Sequence, residues 1–270
     1  PNHIYTLEKY ADRTRPMSNS EVVEKLLLYK PAPYGYPDRR FQYNNTNYAL
    51  LANIVERLSG KSFRQYAQEN LFQPLGMTST FVNDGTDDRV TTAATGYTGS
   101  RRSLRLDYLD GVTGDKGVYS TVEDLFKWDR GLYTEKIIKQ ATLNEAFLPA
   151  HADANLITKN YGFGWRLQKL PDDQWLTFHT GWWHGFKNYF MRNLQDQTTI
   201  ILLSNVANSY LSKVGVLQAI MYPSRANYFL RRDMAPTEMV ETPGGTTASA
   251  TEGEAEFDLT EFSKMAWAKP

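Results

Sequence analysis

The sequence predicts an α/β protein of the α+β type, an antiparallel sheet flanked by helices beside a mostly helical lobe, and three observations carry that reading. Apolar residues recur every three to four positions through residues 18–71 and again through 120–132, and each stretch opens on a helix-start signal. After Tyr161-Gly-Phe-Gly-Trp165 the period shifts toward two. Three short runs separated by turn residues, Trp175–His179, Lys187–Asn193 and Thr198–Leu203, then read as an antiparallel meander. A chain of 270 residues with 41% hydrophobic and 13% aromatic residues is long and apolar enough to bury a large core without staples.

In chain order, Ser18 and Glu21 form a capping-box pattern ahead of Val22, Val23, Leu26 and Leu27, which share one helix face that must end before Pro31. Pro31-Ala-Pro33-Tyr34-Gly35-Tyr36-Pro37 cannot be regular and reads as a rigid loop. Tyr48, Leu51, Val55 and Leu58 mark a second helix, closed by Gly60 as a left-handed cap. A third starts at Ser62, with Gln65 completing another box, and stops before Pro74. Residues 82–117, rich in Gly, Asp and Thr, are expected to be long surface loops. Ser120 and Glu123 form a further box, and Val122, Leu125, Phe126 and Leu132 give the next helix its predicted buried face. A last helix over Ser209–Met221 is expected to pack on the sheet. Past residue 233 the composition turns polar and Pro/Gly-rich, so the expected division is a domain over 1–233 and a linker or disordered tail over 234–270.

Composition excludes several classes of function. Lys+Arg and Asp+Glu both number 30, which argues against a nucleic-acid partner bound by neutralising phosphates. No run approaches the ~18 apolar residues of a membrane-spanning helix. With no cysteine there is no disulfide, thiolate metal site or cysteine nucleophile. The spacing of His179 and His184 puts them on opposite faces of a strand and does not match the i, i+4 spacing of helical zinc ligands. Neither metal nor cofactor is predicted. The aromatic pairs Tyr34/Tyr36 and Trp182/Trp183 suit either packing under a loop or stacking on a sugar ring, and packing is favoured.

Two short motifs gain weight together. Tyr43-Asn44-Asn45 precedes a helix and His179-Thr180-Gly181 closes a strand. Each alone is ordinary capping or turn chemistry, yet a Tyr-x-Asn with a Lys-or-His-x-Gly makes up two of the three elements of the serine penicillin-recognising hydrolases. The surrounding text agrees. Phe41-x-Tyr43-x-Asn45-x-x-Tyr48-x-Leu50-Leu51-x-x-Ile54-Val55-Glu56-x-x-Ser59-Gly60 resembles the class C β-lactamase-like serine hydrolases. So do Pro74-Leu75-Gly76-Met77-x-x-Thr80, Gly117-Val-Tyr119-Ser120-Thr-x-Glu-Asp124-Leu125-x-x-Trp128, Tyr161-Gly-Phe-Gly-Trp165, His179-x-Gly181-x-x-x-Gly185-Phe186 and Leu203-Ser204-Asn205. That group spans esterases, D-amino-acid peptidases, penicillin-binding-protein relatives and β-lactamases, and the resemblance covers roughly residues 1–222.

The first element of the pattern is missing, since no serine in the chain has a lysine three residues on. The resemblance implies that the chain corresponds to the C-terminal two thirds of such a hydrolase, with the Ser-x-x-Lys and the first sheet strands in a preceding segment. It further implies a β-lactamase/transpeptidase-like fold, a periplasmic or extracytoplasmic location, and acyl-enzyme chemistry on a small-molecule or peptide substrate. Tyr43 would be the proton relay, Asn45 would hydrogen-bond the substrate amide or the absent lysine, and His179 would replace a lysine as a cation tuning Tyr43 or meeting a substrate carboxylate. Thr180 would help orient the substrate, Gly181 would let it approach, and the backbone N–H of Trp182 would serve as an oxyanion donor. A non-catalytic module binding peptidoglycan or sugar on the same scaffold is the alternative. The Tyr43 hydroxyl and the His179 ring are expected to share one pocket.

Overall fold

Helix α1, Asn19–Tyr29, begins as its box dictates: the Ser18 side chain accepts from the Glu21 backbone N–H while the Glu21 carboxylate accepts from the Ser18 N–H. The computed structural model describes residues 10–33, 41–149, 159–208 and 210–230. Tyr34, Tyr36, His3, His151 and the predicted tail over 234–270 lie outside those residues. Of the predicted α1 face, Val22 is fully buried but Leu27 faces solvent.

Helix α2, Asn45–Ser59, is capped by Asn44, whose side chain accepts from the Thr46 N–H, and ends at Gly60 in the left-handed region. Its buried side differs from expectation. Thr46, Ala49, Ala52 and Asn53 are covered, whereas Leu51, Ile54 and Leu58 are exposed, Leu58 by 84%. Small residues line the covered side because backbone comes close there. A Cβ on Gly114, whose φ is +100°, would lie 2.5 Å from the Tyr48 carbonyl oxygen and 2.6 Å from the Ala52 Cβ. Helix α3, Phe63–Ala67, continues as a π turn over Gln68–Phe72. Its box is only half made, because the Gln65 side chain bonds Glu69 instead of reaching back to the cap.

Strand β1, Phe81–Val82, pairs antiparallel with β2, Val118–Tyr119. The connection between them is irregular apart from two 3-10 turns, Asp88–Thr91 and Tyr108–Gly111. Helix α4, Val122–Gly131, starts one residue later than its box predicts. Thr121 is the cap, because the Ser120 hydroxyl is held by Thr80 at 2.7 Å. Its buried residues are Asp124, Asp129 and Gly131, while Val122 and Phe126 are about half exposed. Helix α5 covers Gln140–Ala146.

Five strands form the main sheet, all antiparallel in sequence order: β3, Lys159–Tyr161; β4, Arg166–Lys169; β5, Trp175–Trp183; β6, Phe186–Asn193; β7, Thr198–Ser204. The first two are too short for alternation to reveal. Strand β5 runs four residues past its expected end because its ladder with β6 continues to Trp183↔Phe186. His184 therefore sits in the following turn, at a φ of 43°, not on the far face of a strand.

Alternation gives the sheet two unlike faces. Leu176, Phe178, Tyr189, Met191 and Ile200 pack with Leu211, Val214, Ala219 and Phe229 into an apolar core, covered by helix α6, Val214–Met221, and α7, Ala226–Phe229. A 3-10 turn over Tyr210–Lys213 replaces the first part of the predicted last helix. On the other face the register sets Thr177, Arg192 and Thr199 in one row. Arg192 is fully buried, donating to Asp129 of α4 at 2.6 Å with its guanidinium 4.5 Å from the Tyr133 ring centroid. This pair fastens the helical lobe to the sheet.

Candidate active site

The site forms where β5 outruns its neighbour. The last pair between β4 and β5 is Arg166↔Phe178, but β5 continues through His179, Thr180, Gly181 and Trp182 with only β6 alongside among the described strands. Among the described strands one edge of this stretch is unpaired. The start of α2 delivers Tyr43 to it. With Asn44 spent on the cap, Tyr43 lies just before the helix and Asn45 is its first residue. The Tyr43 and His179 ring centroids are 6.1 Å apart, so the two motifs lie side by side.

His179 is held by both ring nitrogens. Nδ1 lies 2.5 Å from the Thr180 carbonyl oxygen, which can only accept, so Nδ1 carries the proton and Nε2 accepts from the Tyr161 hydroxyl at 3.0 Å. Burial disfavours the charged ring and the nearby Arg166 adds to this, pushing the His179 pKa down from 6.5 to about 4. Both effects favour the neutral ring over the cation that the sequence led one to expect of His179. Burial also drives the Tyr161 hydroxyl well above its ordinary pKa, which keeps it a proton donor.

Among the described residues the cation beside Tyr43 is Arg166. Its guanidinium lies 5.6 Å from the Tyr43 ring centroid and 5.9 Å from that of Tyr161, within cation–π range. Among the described residues no carboxylate pairs with it. Sequence reasoning assigned no role to Arg166 or Tyr161. The Gly162-Phe-Gly164 turn signal could have found them, since a hairpin there sets residues 161 and 166 opposite each other, as the register Tyr161↔Arg166 confirms.

Further along the open edge, Thr180 pairs with Tyr189 and Gly181 with Asn188. A Cβ on Gly181 would meet only ordinary contacts with Asn188, at 3.7 and 3.8 Å, and its φ lies outside the left-handed region. The fold itself does not demand glycine there. Trp182 is 46% exposed, with the Lys187 ammonium 5.4 Å from its ring centroid. Its neighbour Trp183 is structural, donating from Nε1 to Asp110 at 2.7 Å with Lys116 over its ring.

One group has the chemistry of metal ligands. Asp107, Asp110 and His184 bring one ligand atom each within 4.8 Å of one another. Both Asp110 oxygens already accept, from the Trp183 Nε1–H and the Asp107 backbone N–H. Burial opposes charge on His184, but the Asp110 and Asp107 carboxylates outweigh it and raise its pKa. The arrangement works as an ion-pair cluster behind the β5–β6 turn.

Known proteins place this architecture. The family model described as Beta-lactamase matches residues 5–218. Penicillin-binding protein 4* of Bacillus subtilis (strain 168) is 32% identical over 215 residues, covering 74% of this chain and 48% of that protein. A D-aminopeptidase of Gluconobacter oxydans (strain 621H) is 23% identical, covering 63% of this chain and 32% of its own length. The chain thus spans half or less of the length of these relatives. Among solved structures, the octameric penicillin-binding protein homologue from Pyrococcus abyssi has the same fold, with a TM-score of 0.65 at 22% identity over 76% of this chain and 48% of that one. A D-amino acid amidase from Ochrobactrum anthropi SV3 follows at 0.61 and 22%, over 79% and 64%. A Tyr-x-Asn and a His-x-Gly meeting at an open sheet edge, on a matching fold and under a family model that spans most of the chain, place this chain in the Beta-lactamase family of penicillin-binding-protein-like proteins.

Proposed function

We propose that the protein is a serine hydrolase that works through an acyl-enzyme on an ester, an amide or a D-amino-acid peptide, and that this chain supplies the Tyr-x-Asn and His-x-Gly parts of its site but not the Ser-x-x-Lys. The convergence of Tyr43, Tyr161, Arg166 and His179 at the open edge of β5 carries the reading. In the acylation step a serine Oγ, from a Ser-x-x-Lys in a preceding part of the longer protein, bonds to the substrate carbonyl carbon. Its proton passes by way of Tyr43 to the leaving amine or alkoxide as that bond breaks; water then repeats the sequence to release the acid. Arg166 lowers the cost of a phenolate at Tyr43, while neutral His179 orients Tyr161 and, through Thr180, the strand edge. Asn45 holds the substrate amide, and the Trp182 N–H faces the developing oxyanion.

An unpaired guanidinium beside the proton relay favours substrates with a free carboxylate on that side. The glycine at 181, not required by the fold, leaves room for the substrate backbone along β5. The family's extracytoplasmic setting is proposed here too.

The test is covalent labelling of the longer protein and of this chain alone with a fluorophosphonate and a chromogenic β-lactam, mapped by mass spectrometry. We expect the longer protein to be acylated on the serine of a Ser-x-x-Lys and this chain to remain unlabelled. Labelling of a serine within this chain would give the nucleophile to another residue. A longer protein that binds peptidoglycan fragments reversibly and is never acylated would establish the non-catalytic binding module instead.

A further inference from the structure

A basic hairpin stands beside the site and takes no part in it. Residues 96–106 carry Arg101, Arg102 and Arg105 and no carboxylate. Thr98 and Arg102 close the tip, where the Thr98 N–H donates to the Arg102 carbonyl at 2.8 Å, the Arg102 N–H donates to the Thr98 hydroxyl at 3.0 Å, and Arg101 takes a φ of 62°. The base is fixed. Leu104 N–H donates to the Gly96 carbonyl, and Tyr97 exchanges backbone bonds with Asn205 and Ala207 just past β7. A Cβ on Gly96 would lie 1.9 Å from the His184 carbonyl oxygen, so this base is pressed against the β5–β6 turn that follows Trp182 and Trp183.

All three arginines are exposed, and among the described residues none meets a carboxylate, a hydrogen-bond acceptor or a ring. Elsewhere several arginines are paired, as in Arg15–Glu21, Arg64–Asp84, Arg89–Asp87, Arg130–Asp129 and Arg225–Asp172. Three like charges on one rigid hairpin repel one another and stabilise nothing in the fold. With a net charge of zero over the chain, their grouping is local and does not follow from composition. Leu106, next to Arg105, is 41% exposed.

We propose that hairpin 96–106 docks the protein on an anionic lipid bilayer, its arginines meeting headgroup phosphates and Leu106 entering the interface. Charge complementarity requires an anionic partner, and exposed Leu106, between Arg105 and Asp107, favours a bilayer over a dissolved polyanion. Among the described residues no helix is long and apolar enough to cross a membrane. Because the hairpin base abuts the β5–β6 turn, docking would hold the open edge of β5 close to the lipid surface.

Co-sedimentation of the longer protein with vesicles of phosphatidylcholine, alone or mixed with phosphatidylglycerol, tests this. Binding is expected only to the mixed vesicles and is expected to fall as salt rises. The triple variant Arg101→Ala, Arg102→Ala, Arg105→Ala should lose roughly fivefold in affinity per charge removed, and Leu106→Asp should weaken binding with the arginines in place. Circular dichroism checks that the variants fold. An equal loss from Arg57→Ala, Lys136→Ala, Lys139→Ala, which removes three exposed charges elsewhere, would reduce the effect to net charge and overturn the proposal. So would absence of binding to anionic vesicles, or capture of soluble polyphosphate as strong as vesicle binding and indifferent to Leu106→Asp.

Discussion

His179 shows how a side chain's surroundings set its chemistry. Its folded pKa of about 4 lies below the ordinary 6.5, so between those values the unfolded chain takes up a proton that the folded chain refuses. Stability is therefore full above about pH 6.5 and falls as pH drops through that window, by at most about 1.4 kcal/mol per unit for one group. Glu21 and Asp87, both lowered to about 2 by arginine hydrogen bonds, shed their stabilisation mostly at lower pH. Urea unfolding from pH 7 to 4 should accordingly show a steeper loss for the native sequence than for His179→Gln; parallel curves would mean that His179 titrates normally. A second expectation concerns its partner. Tyr161→Phe leaves Nε2 buried without a donor and should cost about 1–3 kcal/mol by the same assay, with the fold intact.

Element by element, two helices place polar groups where the periodic pattern led one to look for apolar ones. On α4 the buried Asp124 binds the Ser79 N–H and the Thr80 hydroxyl, and Asp129 binds Arg192. Removing Asp129 would strand a fully buried guanidinium. Asp129→Ala should destabilise by about 3–5 kcal/mol, whereas Arg192→Met together with Asp129→Ala should recover part of that loss. The start of α4 gives a finer test. Thr121→Ala should cost about 1 kcal/mol as a lost cap, and an unchanged stability would return the cap to the position the sequence pattern indicated. On α2 Leu51 and Leu58, two of the four residues whose spacing revealed the helix, are left in water together with Ile54.

Across the whole molecule, apolar surface and sheet edge stand open together. Leu27, Leu28, Leu51, Ile54 and Leu58 are all at least half exposed, and β7, whose sequence Thr-Thr-Ile-Ile-Leu-Leu-Ser carries no charge or proline, is an edge strand among the described residues. Each large apolar side chain forgoes about 1.5–3 kcal/mol by staying in water, against a domain stability of about 5–15 kcal/mol. This chain on its own should therefore self-associate, as read by light scattering. Leu51→Glu with Leu58→Glu should raise the monomer fraction without lowering the melting temperature. A clean monomer of the native sequence melting cooperatively above about 60 °C would show that these surfaces need no cover.

What the sequence determined by itself is local. Capping at Ser18, Asn44 and Ser62, the left-handed Gly60 and the alternation of β5 to β7 depend on groups within four residues of one another, and they were legible as written. The motifs around Tyr43 and His179 were legible too, because a loop ahead of a helix and a strand end have fixed chemistry. Only the tertiary structure decided the charge of His179, the cation beside Tyr43 and the covered side of α2. Arg166 reaches Tyr43 through a two-strand turn and a pairing register, and burial by residues distant in sequence disfavours charge on His179. Such properties arise from long-range packing and low local dielectric, which no short window of the chain encodes.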